Sequence, residues 1–248
     1  MGSVRLVVLA TLGVAVIPVQ RSWAGPDWVE DNDAGQSPPS AQKPTGTGSM
    51  STISGSLAAV NVAAGPGDFV DMYQIYIADP AGFSAQTIQL TPGSPPGFAA
   101  FDSQLWLFDH NGFGILANDD AVVGQTGSRI APPATDATNQ VIPGPGVYYL
   151  AISAFDADPL SGTGELIFSQ EARTEVSGPD GPGGSLTVRN WGTSPQGGMY
   201  LIGMTGVKFP PDLVPAVSTW GMAILFCATA IAGTLCLRRR ATAAPDAA

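Results

Sequence analysis

The sequence predicts an all-β fold, specifically a jelly-roll-like antiparallel β-sandwich, and three observations predict it. The 248 residues include 31 Gly and 22 Pro, about a fifth of the chain against roughly 12% in ordinary usage, so turns interrupt it too often for long soluble helices. Its apolar residues come in short bursts rich in Val, Ile, Leu, Phe and Tyr, a composition that suits strands. Within the bursts the side chains alternate. In DMYQIYIA, Tyr73, Ile75 and Ile77 fall on one face and Met72, Gln74 and Tyr76 on the other.

From the N-terminus, MGSVRLVVLATLGVAVIPVQRSWAG places Arg5 before an apolar stretch and closes on the small-x-small site Ser22-Trp23-Ala24. That order predicts a secretory signal peptide over residues 1–24, cleaved between Ala24 and Gly25. Residues 25–50 are an acidic, then Pro/Ser/Gly-rich lead-in, whose Pro/Ser/Gly run at 34–49 is either a loose approach or an extended edge. The sandwich is expected over residues 51–209. Its strand-like bursts are TISGSLAAVNV, DMYQIYIA, FSAQTIQL, QLWLFD, FGILA, GVYYLAIS, GELIFS, SLTVRN and MYLIGMTGV, separated by turn sequences such as DHNG and PGPG. Residues 213–237 then run without a charge. At 1.5 Å rise per residue they are long enough to cross a hydrocarbon core of ~30 Å as a helix. Arg238, Arg239 and Arg240 follow, and basic clusters stay cytoplasmic. The body is therefore expected outside the cytoplasmic membrane, with residues 241–248 as a cytoplasmic tail.

Charge and composition exclude several functions. The net charge is −10, and residues 25–212 hold 19 acids against Lys43, Arg129, Arg173, Arg189 and Lys208. Such a surface repels phosphate backbones, so nucleic acid is not an expected partner. It suits divalent cations, or simply keeps an exported domain soluble. Both cysteines, Cys227 and Cys236, lie in the apolar run, which leaves the body neither a disulfide framework nor a cysteine zinc site. His110 is the sole histidine, too few for a multi-histidine metal centre. The body carries no evident catalytic set, and a non-enzyme is expected.

Two resemblances sharpen this reading. VPAVSTWGM, a short span and three arginines at the C-terminus resemble the IPTL-CTERM class of bacterial sorting signals, relatives of PEP-CTERM. Pro215, Ser218, Trp220 and Gly221 match the pattern, with Val214 and Val217 as apolar replacements, while Ala216 and Thr219 depart from it. The resemblance implies processing by an exosortase-type membrane protease over residues 210–240 and delivery to the cell surface. The alternative is an ordinary single-pass anchor. The order Glu30-x-Asn32-Asp33, GDFVDMYQIYI, FDSQLWLFDHNGFGILANDD, GPGVYYLAIS and GGMYLIGMTG resembles the bacterial pre-peptidase C-terminal domain. The Gly/Pro-rich insertion between Glu171 and Ser185 departs from it and touches the pairing of the last strands.

The second resemblance implies that Glu30, Asn32, Asp33, Asp68 and Asp71 meet and bind calcium, which takes six to eight oxygen ligands. The alternative is that Asp33 and Asp68 cap turns. For Asp109, Asn111, Asn118, Asp119 and Asp120, turn chemistry is the expectation, because the spacing is not that of an EF-hand loop. Trp106, Phe108, Phe113, Tyr148, Tyr149 and Trp191 are candidates for a glycan-stacking face or for sandwich core. The sequence thus predicts an exported, non-catalytic surface or matrix protein, calcium-stabilised. A glycan- or protein-binding adhesion module and a carboxylate hydrolase using Asp119 and Asp120 are the alternatives.

Overall fold

The computed structural model describes residues 27–57, 68–88 and 101–212, and these are all-β, with no helix among them. Its strands are β1 (Trp28–Val29), β2 (Thr52–Leu57), β3 (Val70–Ile77), β4 (Ser84–Thr87), β5 (Ser103–Asp109), β6 (Gly114–Asn118), β7 (Arg129–Ile130), β8 (Gly146–Ala154), β9 (Pro159–Ser161), β10 (Val188–Trp191), β11 (Gly198–Thr205) and β12 (Val207–Lys208). One five-stranded sheet has the order β1-β2-β11-β4-β7 and the other β12-β3-β8-β5-β6, while β9 and β10 form a separate ribbon. The pairs β2·β11, β3·β8, β4·β7 and β5·β6 are all antiparallel and nest inside one another along the chain. The arrangement is consistent with a β-sandwich.

Alternation decides what lies between the sheets. The odd positions of β3, Asp71, Tyr73, Ile75 and Ile77, are fully enclosed. Their register sets Asp71 against Ile152 and Tyr73 against Leu150 of β8, which in turn pair with Leu105 and Leu107 of β5. Tyr200 on β11 of the other sheet reaches both Tyr73 and Asp71, so this face of β3 looks into the gap between the sheets. Ile53, Leu57, Ala85, Ile130 and Ile202 supply apolar surface from that opposing sheet to the same core.

The other face of the β3-β8-β5-β6 sheet is also covered. Residues 155–197 leave the sheet after β8 and fold back over it, and Phe168 and Trp191 pack on Trp106 and Phe108 of β5 with ring centroids 5.5–6.2 Å apart. Such tilted and edge-on pairs add about 0.5–1.5 kcal/mol each beyond area burial. Ser177 of this excursion pairs with Ala117, closing the free edge of β6.

The sheets are antiparallel as expected, apart from the two-residue β1, which runs parallel to β2. Two strand expectations are corrected by the structure. GELIFS is not a strand: Leu166 makes only an isolated bridge to Leu160, since the segment serves to carry Ile167 and Phe168 down onto the sheet. SLTVRN supplies a strand only from Val188, and that strand pairs with β9 rather than with either large sheet. The lead-in is an edge: Gln42 bridges Tyr73 in parallel beside β3, and Ala34 and Met50 are core residues. The signal peptide with Ala24 and Gly25, and the sorting motif with its span and arginines (Val214, Pro215, Ser218, Trp220, Gly221, Arg238–Arg240), lie outside the described residues.

Candidate metal centre

The site begins with the way the lead-in is fastened. Asp27 Oδ2 accepts hydrogen bonds from Ser51 N at 2.6 Å, Ser51 Oγ at 2.7 Å and Thr52 N at 3.2 Å. The Ser51 amide is the largest of the influences that hold this carboxyl below its ordinary range. β1 then pairs with β2, and Glu30 N donates to Ser54 O at 2.8 Å. Gln42 clamps the following loop: its Oε1 accepts from Trp28 Nε1 at 2.7 Å and Asp31 N at 3.1 Å, and its Nε2 donates to Asp31 O at 2.8 Å. Asn32 and Gly35 both take left-handed backbone, with φ of 58° and 74°. A side chain at Gly35 would also strike Ser40. That position needs glycine.

This path delivers Glu30 to Asp68 and Asp71. One carboxylate oxygen from each lies within 4.8 Å of the others. Asp71 is fully buried and Tyr200 Oη donates to its Oδ2 at 2.5 Å. Because that uses the Tyr200 proton, Tyr73 Oη donates to Tyr200 Oη, also at 2.5 Å. Glu30 Oε2 accepts from Ser56 N at 2.8 Å. Asp71 Oδ1 and Asp68 Oδ1 are enclosed and have no hydrogen-bond partner. Gly55 makes room for all this, since a Cβ there would collide with the Tyr200 hydroxyl and Glu30 Oε2.

The electrostatics follow from burial and crowding. Burial, then repulsion from Asp33 and Glu30, pushes the Asp68 carboxyl up to about 6. Asp71 is driven further in the same direction, by burial first and then by Glu30, Asp68 and Asp33, with the Tyr200 bond opposing. Burial also raises Glu30. Two like charges about 4–5 Å apart repel by roughly 3–4 kcal/mol at an effective dielectric of 20. The trio therefore needs a proton or a cation to be comfortable.

Of the five residues expected here, Glu30, Asp68 and Asp71 converge. Asp33 is an electrostatic neighbour whose Oδ1 accepts from Gly35 N at 2.6 Å, a turn bond. Asn32 turns outward and its amide donates to Asp31 Oδ1 at 3.0 Å. Sequence reasoning did not single out Tyr200 or Gln42. Their distances along the chain from their partners, 129 residues for Tyr200–Asp71 and 14 for Gln42–Trp28, leave no local signal. All-oxygen carboxylate donors of this kind fit a hard cation such as calcium.

The second set behaves partly as expected. Asp109 Oδ1 accepts from Asn111 N at 2.8 Å and Phe113 N at 2.9 Å, and Gly112 has φ 92°, so DHNG is a self-satisfied turn. Asp119 and Asp120 instead sit buried at the end of β6 beside Asp102. Trp106 and Phe108 are core residues packed under the excursion, with no open face to offer a sugar. Compared with known proteins, the chain matches no protein-family model and no curated sequence.

Proposed function

We propose that this chain is an exported, non-catalytic surface or matrix protein, a jelly-roll β-sandwich whose lead-in is pinned by calcium. Its C-terminal exosortase-type signal delivers it to the cell envelope. The observation that carries the reading is the meeting of Glu30, Asp68 and Asp71, one oxygen of each within 4.8 Å of the others, in a place where the fully buried Asp71 keeps an enclosed Oδ1 without a partner. Calcium there joins the lead-in to β3, a tie that a chain with no cysteine in its body cannot make by disulfide. Donors for it are the three carboxylates, and the Asp33 charge nearby adds to the attraction. The nested pairing of eight strands across two sheets supports the jelly-roll reading. Export and sorting rest on the two terminal sequences.

Two experiments test this. Protease added to intact cells should degrade residues 25–212, and full protection until lysis would overturn the topology. The purified chain should melt higher in calcium than in chelator. At a calcium concentration 100 times Kd the gain is about 2.7 kcal/mol, or roughly 5–11 °C for a domain of this size. Identical melts would remove the calcium tie.

A second reading, glycan binding, is favoured by one feature. Ser37, Pro38, His110, Asn111, Tyr149 and Arg189 line a groove of about 450 Å³ that combines a ring with polar donors. Glycan-array binding lost in Tyr149→Ala and Arg189→Ala supports it, and an array without hits dismisses it.

A further inference from the structure

A separate acid cluster forms where β5 begins and β6 ends. Asn118 shapes the chain there: its Nδ2 donates to Asp120 O at 3.0 Å and Glu175 O at 2.8 Å, and its Oδ1 accepts from Arg129 N at 2.6 Å. Asp120 N donates to Arg173 O at 2.9 Å, which holds the excursion against this corner. Across the sheet, Phe155 N donates to Asp102 O at 2.9 Å, and Asp102 N to Gln196 Oε1 at 3.2 Å. These backbone anchors set the three carboxylates face to face, and one oxygen from each of Asp102, Asp119 and Asp120 lies within 4.8 Å of the others.

A second observation points to a ligand. Asp119 is 3% exposed, and its Oδ1 is enclosed without any hydrogen-bond partner. Asp102 Oδ1 is enclosed and unpartnered as well. The nearby cation does not resolve this. Arg173 Nε comes only to 3.9 Å from Asp119 Oδ2, its side chain is 59% exposed, and its guanidinium lies over the Phe155 ring at 4.6 Å. One distant, solvated guanidinium faces three carboxylates, two of them buried.

We propose that Asp102, Asp119 and Asp120 form a second site for a hard divalent cation of the calcium type, which ties the start of β5 to the chain leaving β6. Oxygen donors at a loop-to-strand junction suit such an ion, and an ion that reaches Asp102 Oδ1 and Asp119 Oδ1 gives each enclosed oxygen the partner it lacks. The site does not depend on Glu30, Asp68 and Asp71. Asp68 and Asp102 flank the same end of β8 from opposite sides, two strand spacings or about 10 Å apart, so both sites can fill at once.

The test is calorimetric titration of the full-length chain, stripped with chelator and titrated with calcium alone up to 10 mM (roughly tenfold above the weakest extracellular-module Kd values). Asp119→Asn and Asp102→Asn should each remove one equivalent or weaken it at least tenfold. Asp71→Asn should leave that equivalent in place and remove the other. Melting in chelator separates ligation from folding. With a repelling charge removed, Asp119→Asn should melt no lower than the unsubstituted chain without calcium, yet gain less from calcium. Should Asp119→Asn misfold by circular dichroism, Asp102→Asn carries the same comparison. Calcium stoichiometry and affinity unchanged in both variants would overturn the proposal. A single equivalent abolished by Asp71→Asn alone would overturn it too, and would leave the first site standing.

Discussion

The two acid clusters solve the same problem with different partners. At Glu30, Asp68 and Asp71 the fold brings neutral donors: the Tyr200 hydroxyl and the Ser56 amide each hold one carboxylate oxygen in place. At Asp102, Asp119 and Asp120 it brings a charge, Arg173, at long range and half in solvent. Neutral donors orient a carboxylate without cancelling its charge. A guanidinium cancels part of it. The two clusters hold the same number of acids, so the difference between them lies in the donors the fold brings to each.

Gly55→Ala should separate the clusters most sharply. The added methyl meets the Tyr200 hydroxyl and Glu30 Oε2, overpacking that costs about 1–3 kcal/mol. Its calcium-dependent rise in melting temperature should fall to whatever the second cluster supplies, as differential scanning calorimetry with and without chelator would record. An undiminished rise would show that the first cluster binds nothing. Tyr200→Phe is next. It leaves Asp71 Oδ2 buried without its donor, a loss of about 1–3 kcal/mol, and denaturant unfolding in chelator should show it in full.

A pH series is expected to give a smaller and graded effect. In chelator the folded chain holds Asp68 at about 6, Asp119 at about 7 and Asp71 raised further, by burial first in each case. In the unfolded chain all three ionise at ordinary values. Between those limits the folded state carries more protons, so stability falls as pH rises through them. It is fully retained only below the ordinary carboxylate range. Asp27 and Asp136, both lowered, act with the opposite sign and weaken the fold under stronger acid. Saturating calcium should flatten the decline above about pH 5, and a chelator profile that instead climbs from pH 5 to 8 would contradict this assignment. The smallest effect is assigned to Arg173→Gln. The Arg173 guanidinium is largely in solvent and 3.9 Å from Asp119 Oδ2. Such loosely held pairs contribute about 0–1 kcal/mol, so stability in chelator should barely move, while calcium affinity at the second cluster rises. A fall in affinity would mean that Arg173 positions the carboxylates rather than competing for them.

Local chemistry made parts of this legible from residues alone. Alternation in DMYQIYIA assigned the faces of β3 correctly, because a strand side chain has only two directions. DHNG was readable as a turn because its bonds close within four residues. The grouping of Glu30 with Asp68 and Asp71 came through resemblance to a known module, whereas Asp102 was never grouped with Asp119 and Asp120. The aromatics were ambiguous for a related reason: LWLF places Trp106 and Phe108 on one face, but nothing near them in the chain says that Phe168 and Trp191 will cover it.

By itself, then, the sequence determined the all-β class, most strand positions and the DHNG turn. These depend on backbone preferences and on side-chain direction within a few residues. Tertiary structure alone decided which acids face one another, that GELIFS would dive onto a sheet instead of extending one, and that Tyr200 would reach Asp71 from the opposite sheet. Those outcomes turn on strand register and sheet packing, which sum weak contacts over the whole chain and leave no mark in any short stretch of it.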